Sequence, residues 1–314
     1  MKRLIWILIF LLPAVSGWTG CSDAGEPEFP DLEGLDPGQD RLPEQEFRVM
    51  TFNVRVNSTD NDGSFKDWNV RKKAVAAVFK DKRPTLCGVQ EAYLRGQWDY
   101  LKETLADEGY ECVGKPITDW SEPPVKNGQV VGIFYRPSEV SLVRWGVFSL
   151  SETPDEPLET PALGASYVRG ATWAEFELNE NKRHVFMLNT HLDTKSDAVR
   201  KKELEIILAR IAFYNKENLP TFMTADFNAN AQNSIFYDTS VRDSYLLARE
   251  QAPVGDLNTA TNNHYGTTSA SYIDHIWFSN FSLKIDAYYV VTQQYFDDVP
   301  YVSDHWPSYA VFRY

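Results

Sequence analysis

The alternation of apolar and polar positions divides the chain into many short strands and three amphipathic helices. Phe47-Arg48-Val49-Met50-Thr51-Phe52-Asn53-Val54 reads as a strand, and Thr85 to Gln90 as a short buried one that ends in Glu91. Between them, Trp68 to Lys80 puts Val75, Val78 and Phe79 on one side of a helix that Pro84 stops. A second helix carries Trp98, Leu101 and Leu105 at helical spacing and ends near Gly109. The middle of the chain is richer in strands, predicted near 110–115, 129–136, 139–149, 171–178 and 183–191. A long loop from Ser151 to Arg169, with Pro154, Pro157 and Pro161, interrupts them, and loops of that length are often functional. Ser196 to Tyr214 is the clearest helix, with Leu204, Ile207, Leu208 and Ile211 in one stripe. Strands follow near 219–225, 273–278, 281–292 and 306–313. Many strands and few helices predict an α/β fold in which two sheets pack together with helices outside.

Composition adds organisation. Residues 47–314 read as one domain without repeat or linker. Ahead of it, Lys2 and Arg3 precede an apolar run from Leu4 to Val15, so residues 1–20 read as a secretion signal too short to span a membrane comfortably. Cys21 after Thr19-Gly20 resembles the acylated cysteine of a bacterial lipobox, although Trp18 departs from the usual aliphatic residue there. Residues 21–46 are acidic and rich in Pro and Gly, a flexible tether. Together these predict an extracytoplasmic, membrane-anchored lipoprotein, periplasmic or at the cell surface, with no obligate protein partner. The chain carries 31 Lys plus Arg against 44 Asp plus Glu, a net charge of −13; setting aside the signal, with Lys2 and Arg3 and no acid, makes it −15. That balance repels polyphosphate backbones and disfavours a nucleic-acid-coating role. Cys87 and Cys112 lie in strand-like runs and read as two buried thiols, with a bridge between neighbouring strands as the alternative.

The candidate chemistry recurs in one setting, at or just beyond the end of an apolar strand. Asn53, Glu91, His191, Asp226 with Asn228, Asp274, and Asp304 with His305 all occupy such positions. Singly, each has a bland explanation, a solvated carboxylate or a turn asparagine. Together they make an oxygen-rich site suited to Mg²⁺ or Mn²⁺ with several water ligands, and such an ion neutralises phosphoryl oxygens.

The blocks Thr51-Phe52-Asn53-Val54-Arg55, Val89-Gln90-Glu91, Asn189-Thr190-His191-Leu192-Asp193, Ala225-Asp226-Phe227-Asn228, Tyr272-Ile273-Asp274-His275 and Ser303-Asp304-His305-Trp306-Pro307 resemble the endonuclease/exonuclease/phosphatase superfamily, in the family's order. Ala225 stands where the family usually has glycine. Ser149-Leu150-Ser151-Glu152-Thr153-Pro154 and Arg169 look like a bacterial branch without a settled substrate. The resemblance implies a DNase I-like, four-layer α/β/β/α sandwich of two mixed sheets flanked by helices. It implies metal binding by Glu91, with Asn53 beside it and Asp304 through water. It assigns the attacking water to Asp226 and Asn228, and places His305 with its partner Asp274 near the phosphate. His191 would donate to a non-bridging oxygen, and Arg169 would clamp the phosphate.

The other residues have plainer readings. His275 should point away from Asp274, His184 and His264 should lie at the surface, and Arg136 should form a structural ion pair. Asp193 could shape the site or cap the helix at 196–214. Trp68, Trp120 and Trp145 should pack in the core. The expected function is Mg²⁺-dependent hydrolysis of a phosphomonoester or phosphodiester by in-line attack of water, on a small sugar, inositol or lipid-head phosphate. An extracytoplasmic nuclease using Lys195, Arg200, Lys201 and Lys202 is the alternative, and a catalytically silent binding module a third reading.

Overall fold

The computed structural model describes residues 43–57, 59–266, 271–279 and 282–314. The signal, Cys21 and nearly all of the tether lie outside the described residues. Among the described residues no helix is long and apolar enough to cross a membrane.

Two six-stranded sheets form the molecule. The first holds β1 (Glu46–Asn53), β2 (Leu86–Tyr93), β3 (Glu111–Val113), β4 (Gln129–Tyr135), β11 (Lys284–Val290) and β12 (Ser308–Arg313) in the order β11-β12-β1-β2-β4-β3. The second holds β5 (Val140–Ser149), β6 (Gly170–Leu178), β7 (His184–His191), β8 (Thr221–Asp226), β9 (Leu246–Leu247) and β10 (Asp274–Phe278) in the order β5-β6-β7-β8-β10-β9. Each sheet has one parallel pair, β1 with β2 and β7 with β8, and is otherwise antiparallel. A helix bridges each parallel pair: α1 (Trp68–Lys82) in the first sheet and α3 (Asp197–Tyr214) in the second. Capping sets where these helices start, since the Asp67 carboxylate accepts the Asn69 N–H and the Ser196 hydroxyl accepts the Val199 N–H. A distorted turn at Leu94–Trp98 leads into α2 (Asp99–Ala106).

Strand alternation then builds three apolar layers. Inward residues of the first sheet, such as Phe47, Val49, Leu86 and Phe312, meet Phe176, Met187, Phe222 and Ile276 of the second. Phe47 and Phe222 cross edge to face at 5.7 Å, a geometry that adds about 1 kcal/mol to simple burial. The outward residues Met50, Phe52, Cys87 and Val89 pack under α1 and α2. Phe186, Leu188, Met223 and Ala225 pack under Leu204, Ile207 and Ile211 of α3. The result is the four-layer α/β/β/α sandwich expected from the sequence.

The short elements α4 (Ile235–Asp238), α5 (Val241–Ser244), α6 (Ala248–Gln251) and β9 escape the sequence pattern, because elements of two or four residues show no period. Cys87 and Cys112 are free thiols, and each pairs in register with Phe134 of the strand between them. Two strand spacings, about 9.5 Å, exceed the reach of a disulfide. Arg136 pairs with Glu139 at 2.5 Å. Trp68 is buried, whereas Trp120 and Trp145 are half-buried.

Candidate active site

The face between the sheets changes character along the strands. At one end it is apolar; in the middle Thr51, Gln90, Asn189 and Thr224 replace the hydrocarbon with a buried hydrogen-bond network. The Gln90 amide donates to Asn189 Oδ1 at 2.7 Å and Thr51 Oγ1 at 3.1 Å, and Asn189 donates to the carbonyls of Val89 and Gly132, both at 2.9 Å. Gly88 lets the sheets approach here, since a Cβ on it would stand 2.1 Å from Thr224 Oγ1. Two residues further along these strands, the same face carries Asn53, His191 and Asp226. This buried network is the floor on which the site stands.

Register aligns the polar residues above it. His191 pairs with Asp226 across β7 and β8, and Asp226 pairs with Asp274 across β8 and β10, so three site residues form one row. Glu91 follows Gln90 and by alternation should face the helices. A register shift between Val89 and Ala92, with Glu91 at φ +64°, breaks the alternation. Glu91 thereby joins the side of Asn53, at about 1–2 kcal/mol for a left-handed non-glycine residue. Asn53 Nδ2 donates to Glu91 Oε1 at 2.9 Å and to Asp226 Oδ2 at 3.0 Å, bridging the sheets. The Val56 N–H donates to Glu91 Oε2 at 2.8 Å, and the Arg55 N–H donates to Asn53 Oδ1 at 2.9 Å.

His305 stands just before β12. Its Nδ1 is 2.8 Å from Asp274 Oδ2, while its Nε2 lies 3.6 Å from Asp226 Oδ2 and 3.3 Å from the Asn262 amide. Burial alone would push this imidazole down, but Asp274, Asp226 and Asp304 outweigh it and hold it well above the usual histidine range. His191 is the opposite case: burial, with Arg169 and His305 nearby, pushes it well below that range. Its Nε2 lies 3.0 Å from Asn228 Nδ2 and 3.5 Å from Asp226 Oδ2. Burial pushes Asp226 up to about 7, with His305 pulling it back and Asp274 and Glu91 adding to the rise. The surroundings thus favour the cation on one histidine and the neutral ring on the other.

Asp304 pairs with Arg55 at 3.3 Å. Arg169 is 4% exposed, its Nε lies 3.7 Å from Asp193 Oδ2, and among the described residues that Nε has no hydrogen-bond partner. These groups open on one cleft of about 470 Å³ that also includes Thr59, Tyr93, Gln129, Tyr167, Thr194 and His264. Every site residue anticipated within the described part therefore reaches, or directly supports, one cavity. His264 lies at its exposed mouth, His184 binds Glu175 far from it, and His275 is buried against Phe227, Phe236 and Trp277. Burial pushes His275 down to about 4.

Two supports escaped sequence reading. Asn262 beside His305 carries no local signal. Arg71 does: it interrupts the apolar stripe of α1 one turn after Trp68 and one before Val75. Fully buried, its guanidinium donates to the carbonyls of Lys66 at 2.9 Å, Val54 at 2.5 Å, Arg55 at 2.7 Å and Val302 at 3.2 Å. It ties the loop after β1 to the loop that delivers Asp304 and His305.

Two groups of side chains could each hold a metal ion, Glu91 with His191 and Asp226, and Asp226 with Asp274 and His305; ligand atoms within each lie within 4.8 Å of one another. The fit is chemical as well: carboxylates and the Asn53 amide oxygen are hard donors, and acids crowded in one cleft repel one another unless a cation joins them.

The family model described as Endonuclease/Exonuclease/phosphatase family matches residues 50–305. Among curated proteins nothing matches. Among solved structures, an endonuclease/exonuclease/phosphatase family protein from Bacteroides thetaiotaomicron is 24% identical, covering 87% of this chain and 99% of that one at a TM-score of 0.76. A mannosyl-6-phosphatase from the same organism is 24% identical, with 85% and 99% covered and a TM-score of 0.75. TDP2 of D. rerio, complexed with a single-strand DNA product, is 16% identical, with 85% and 98% covered and a TM-score of 0.65. These structural likenesses establish the shared fold.

Proposed function

The chain belongs to the endonuclease/exonuclease/phosphatase family of phosphoester hydrolases, and from that premise we propose that it hydrolyses a small sugar, inositol or lipid-head phosphate. The observation that carries this reading is the row His191, Asp226, Asp274, completed by His305 and Glu91 from the other sheet at one cleft. A divalent cation, Mg²⁺ or Mn²⁺, would be held chiefly by Glu91, with Asn53 and Asp304 around it, and when bound it supplies charge neutralisation for the phosphoryl oxygens. The Asn53 oxygen accepts one hydrogen bond and keeps a second lone pair for that purpose.

The chain's own residues then divide the work. Asp274 holds His305 at Nδ1 and stabilises its imidazolium, which turns Nε2 toward the cleft as a cation for the phosphate. A protonated His305 cannot take a proton from water, so Asp226 beside it is the acceptor we favour. His191 and the Asn228 amide, 3.0 Å apart, would donate to a non-bridging oxygen as it gains charge. Arg169, on the cleft wall, would offer its guanidinium to the phosphate.

A small substrate is favoured by charge. Arg55 and Arg169 are the only arginine or lysine residues among the described residues lining the cleft, and Arg55 is already paired with Asp304 and Asp60. The basic run near Lys195 offers a polynucleotide little, because Arg200 turns inward to the Asp193 carbonyl and the Asp197 carboxylate. The mannosyl-6-phosphatase relative is compatible with this choice. We place the enzyme outside the cytoplasmic membrane through acylated Cys21; a Cys21→Ser chain should leave the membrane fraction, and retention there would count against the anchor.

A turnover screen of the full chain tests the activity. It should cover hexose and inositol phosphates, lipid-head diesters, and single- and double-stranded DNA and RNA, with and without Mg²⁺. Metal-dependent release of phosphate or alcohol from the small esters is expected. Faster cleavage of nucleic acid, falling steeply with salt, would favour the nuclease instead.

A further inference from the structure

The loop between β5 and β6 ends with an aromatic ring whose exposure the catalytic chemistry does not explain. Tyr167 is 56% exposed and lies on the cleft wall two residues before Arg169. Its backbone is pinned: the Ser166 and Tyr167 N–H groups donate to the Asp193 carboxylate at 3.0 and 2.9 Å, and the Lys195 N–H donates to the same carboxylate at 2.9 Å. Asp193 is itself fully buried, and its N–H donates to Glu203 Oε2 of α3 at 2.9 Å. The backbone anchors the residue, while about half of its surface remains exposed at the cleft wall. The Arg169 guanidinium stacks on that ring, 5.2 Å from its centroid.

An aromatic wall held next to a buried cation suits a ligand whose ring presents an apolar C–H face beside its phosphate. The rest of the cleft suits the hydroxyls of such a ring. Thr59, Tyr93, Gln129 and Thr194 contribute neutral hydroxyl or amide groups, and about 470 Å³ is small-molecule size. We propose that Tyr167 is the specificity-determining platform of this site, packing against the ring of a cyclic polyol phosphate, a hexose or inositol phosphate, whose phosphate lies at Arg169. The proposal rests on the phosphoesterase reading above. Acyclic phosphates gain nothing from the platform, so the ring is what the residue selects.

The test compares full-length wild type, Tyr167→Ala and Tyr167→Phe on hexose 6-phosphates, myo-inositol 1-phosphate and ring-free glycerol 3-phosphate. For Tyr167→Ala, kcat/KM on the best ring substrate should fall about tenfold further than on glycerol 3-phosphate, mainly through KM, the size expected of one aromatic contact. Tyr167→Phe should keep the ring preference, because the face and not the hydroxyl carries it. Equal losses on ring and ring-free substrates, or loss of the preference in Tyr167→Phe, would overturn the platform. If wild type turns over none of the three, the phosphoesterase reading fails on these substrates, and calorimetry decides the platform separately. Hexose 6-phosphate binding weakened in Tyr167→Ala more than inorganic phosphate binding would sustain it; equal weakening, or no binding by wild type, would end it.

Discussion

The two sheets are built alike, yet their crossover helices anchor the catalytic loops with opposite chemistry. Helix α1 follows β1 and buries Arg71, which holds the carbonyls of Val54 and Arg55 just beyond that strand. Helix α3 follows β7 and buries Glu203, which accepts the N–H of Asp193 just beyond that strand. The first anchor is a permanent cation with four carbonyl partners. The second is a carboxyl group with one N–H partner on Oε2 and none on Oε1. Burial pushes it up to about 7, with Asp193 adding to the rise while its hydrogen bond and Arg169 and Arg200 pull it back. The same structural task is therefore independent of pH in the sheet that presents Glu91 and sensitive to pH in the sheet that presents His191 and Asp226. A fixed charge suits a loop that must present oxygens to a cation. A titratable one suffices where the loop mainly holds Tyr167 and Arg169 in place.

The largest expected effects lie at the strand ends themselves and separate the roles of the two sheets. Glu91→Ala and His305→Ala should each lower turnover at least about a hundredfold without unfolding the protein, as expected for a lost catalytic or metal-holding group. Asp274→Asn should also lower kcat, while leaving the Mg²⁺ concentration for half-activation where it is in wild type. Glu91→Ala should move that concentration upward. Steady-state rates across a Mg²⁺ titration measure both, and near-normal rates for Glu91→Ala would remove Glu91 from the chemistry.

Next comes the cationic anchor. Arg71→Met keeps the length of the side chain but leaves four buried or half-buried carbonyls without their donor, which should cost about 3 kcal/mol or more in urea unfolding. Activity should fall about tenfold in the molecules that remain folded, since the Val56 N–H on Glu91 and the loop bearing Asp304 both lose their brace. Arg71→Lys should recover part of each. A variant as stable and active as wild type would show that the loops hold themselves.

How far the sequence foretold this arrangement depends on what each residue answers to. Strand periodicity and strand-end motifs respond to local rules, so β1, β7, β8 and the row of His191, Asp226 and Asp274 were legible, as was the separation of His275 from Asp274. Glu91 was legible as a motif, but not the means by which it reaches the cleft: alternation alone points it outward, and only a bulge with positive φ corrects that. Arg71 escaped the sequence reading although it is a charge in an apolar stripe; its partners come from residues 66, 54, 55 and 302, and contacts so separated have no signature in one chain. Asp193 read equally well as a site residue or a helix cap. The structure makes it a buried acceptor for the loop before β6, because its carboxylate is committed to the N–H groups of Ser166, Tyr167 and Lys195.

The smallest effect tests the titratable anchor and carries a definite sign. Glu203 has a folded-state pKa of about 7 against an ordinary value of 4.5, so the folded chain binds a proton that the unfolded chain has already released between those limits. Stability must therefore fall as pH rises from about 4.5 to 7 and stay low above it. Glu203→Gln keeps an oxygen for the Asp193 N–H and removes the charge. The variant should match wild type near pH 4.5 and become more stable as pH rises. The gain should level off above about pH 7 at roughly 3 kcal/mol, several degrees in Tm for a domain of this size. No comparable slope should vanish in Arg71→Lys, because that anchor does not titrate in this range. Thermal melts of both variants from pH 4.5 to 8.5 decide it: parallel curves for wild type and Glu203→Gln would mean that the second anchor is as indifferent to protons as the first, and the contrast between the sheets would rest on the active-site row alone.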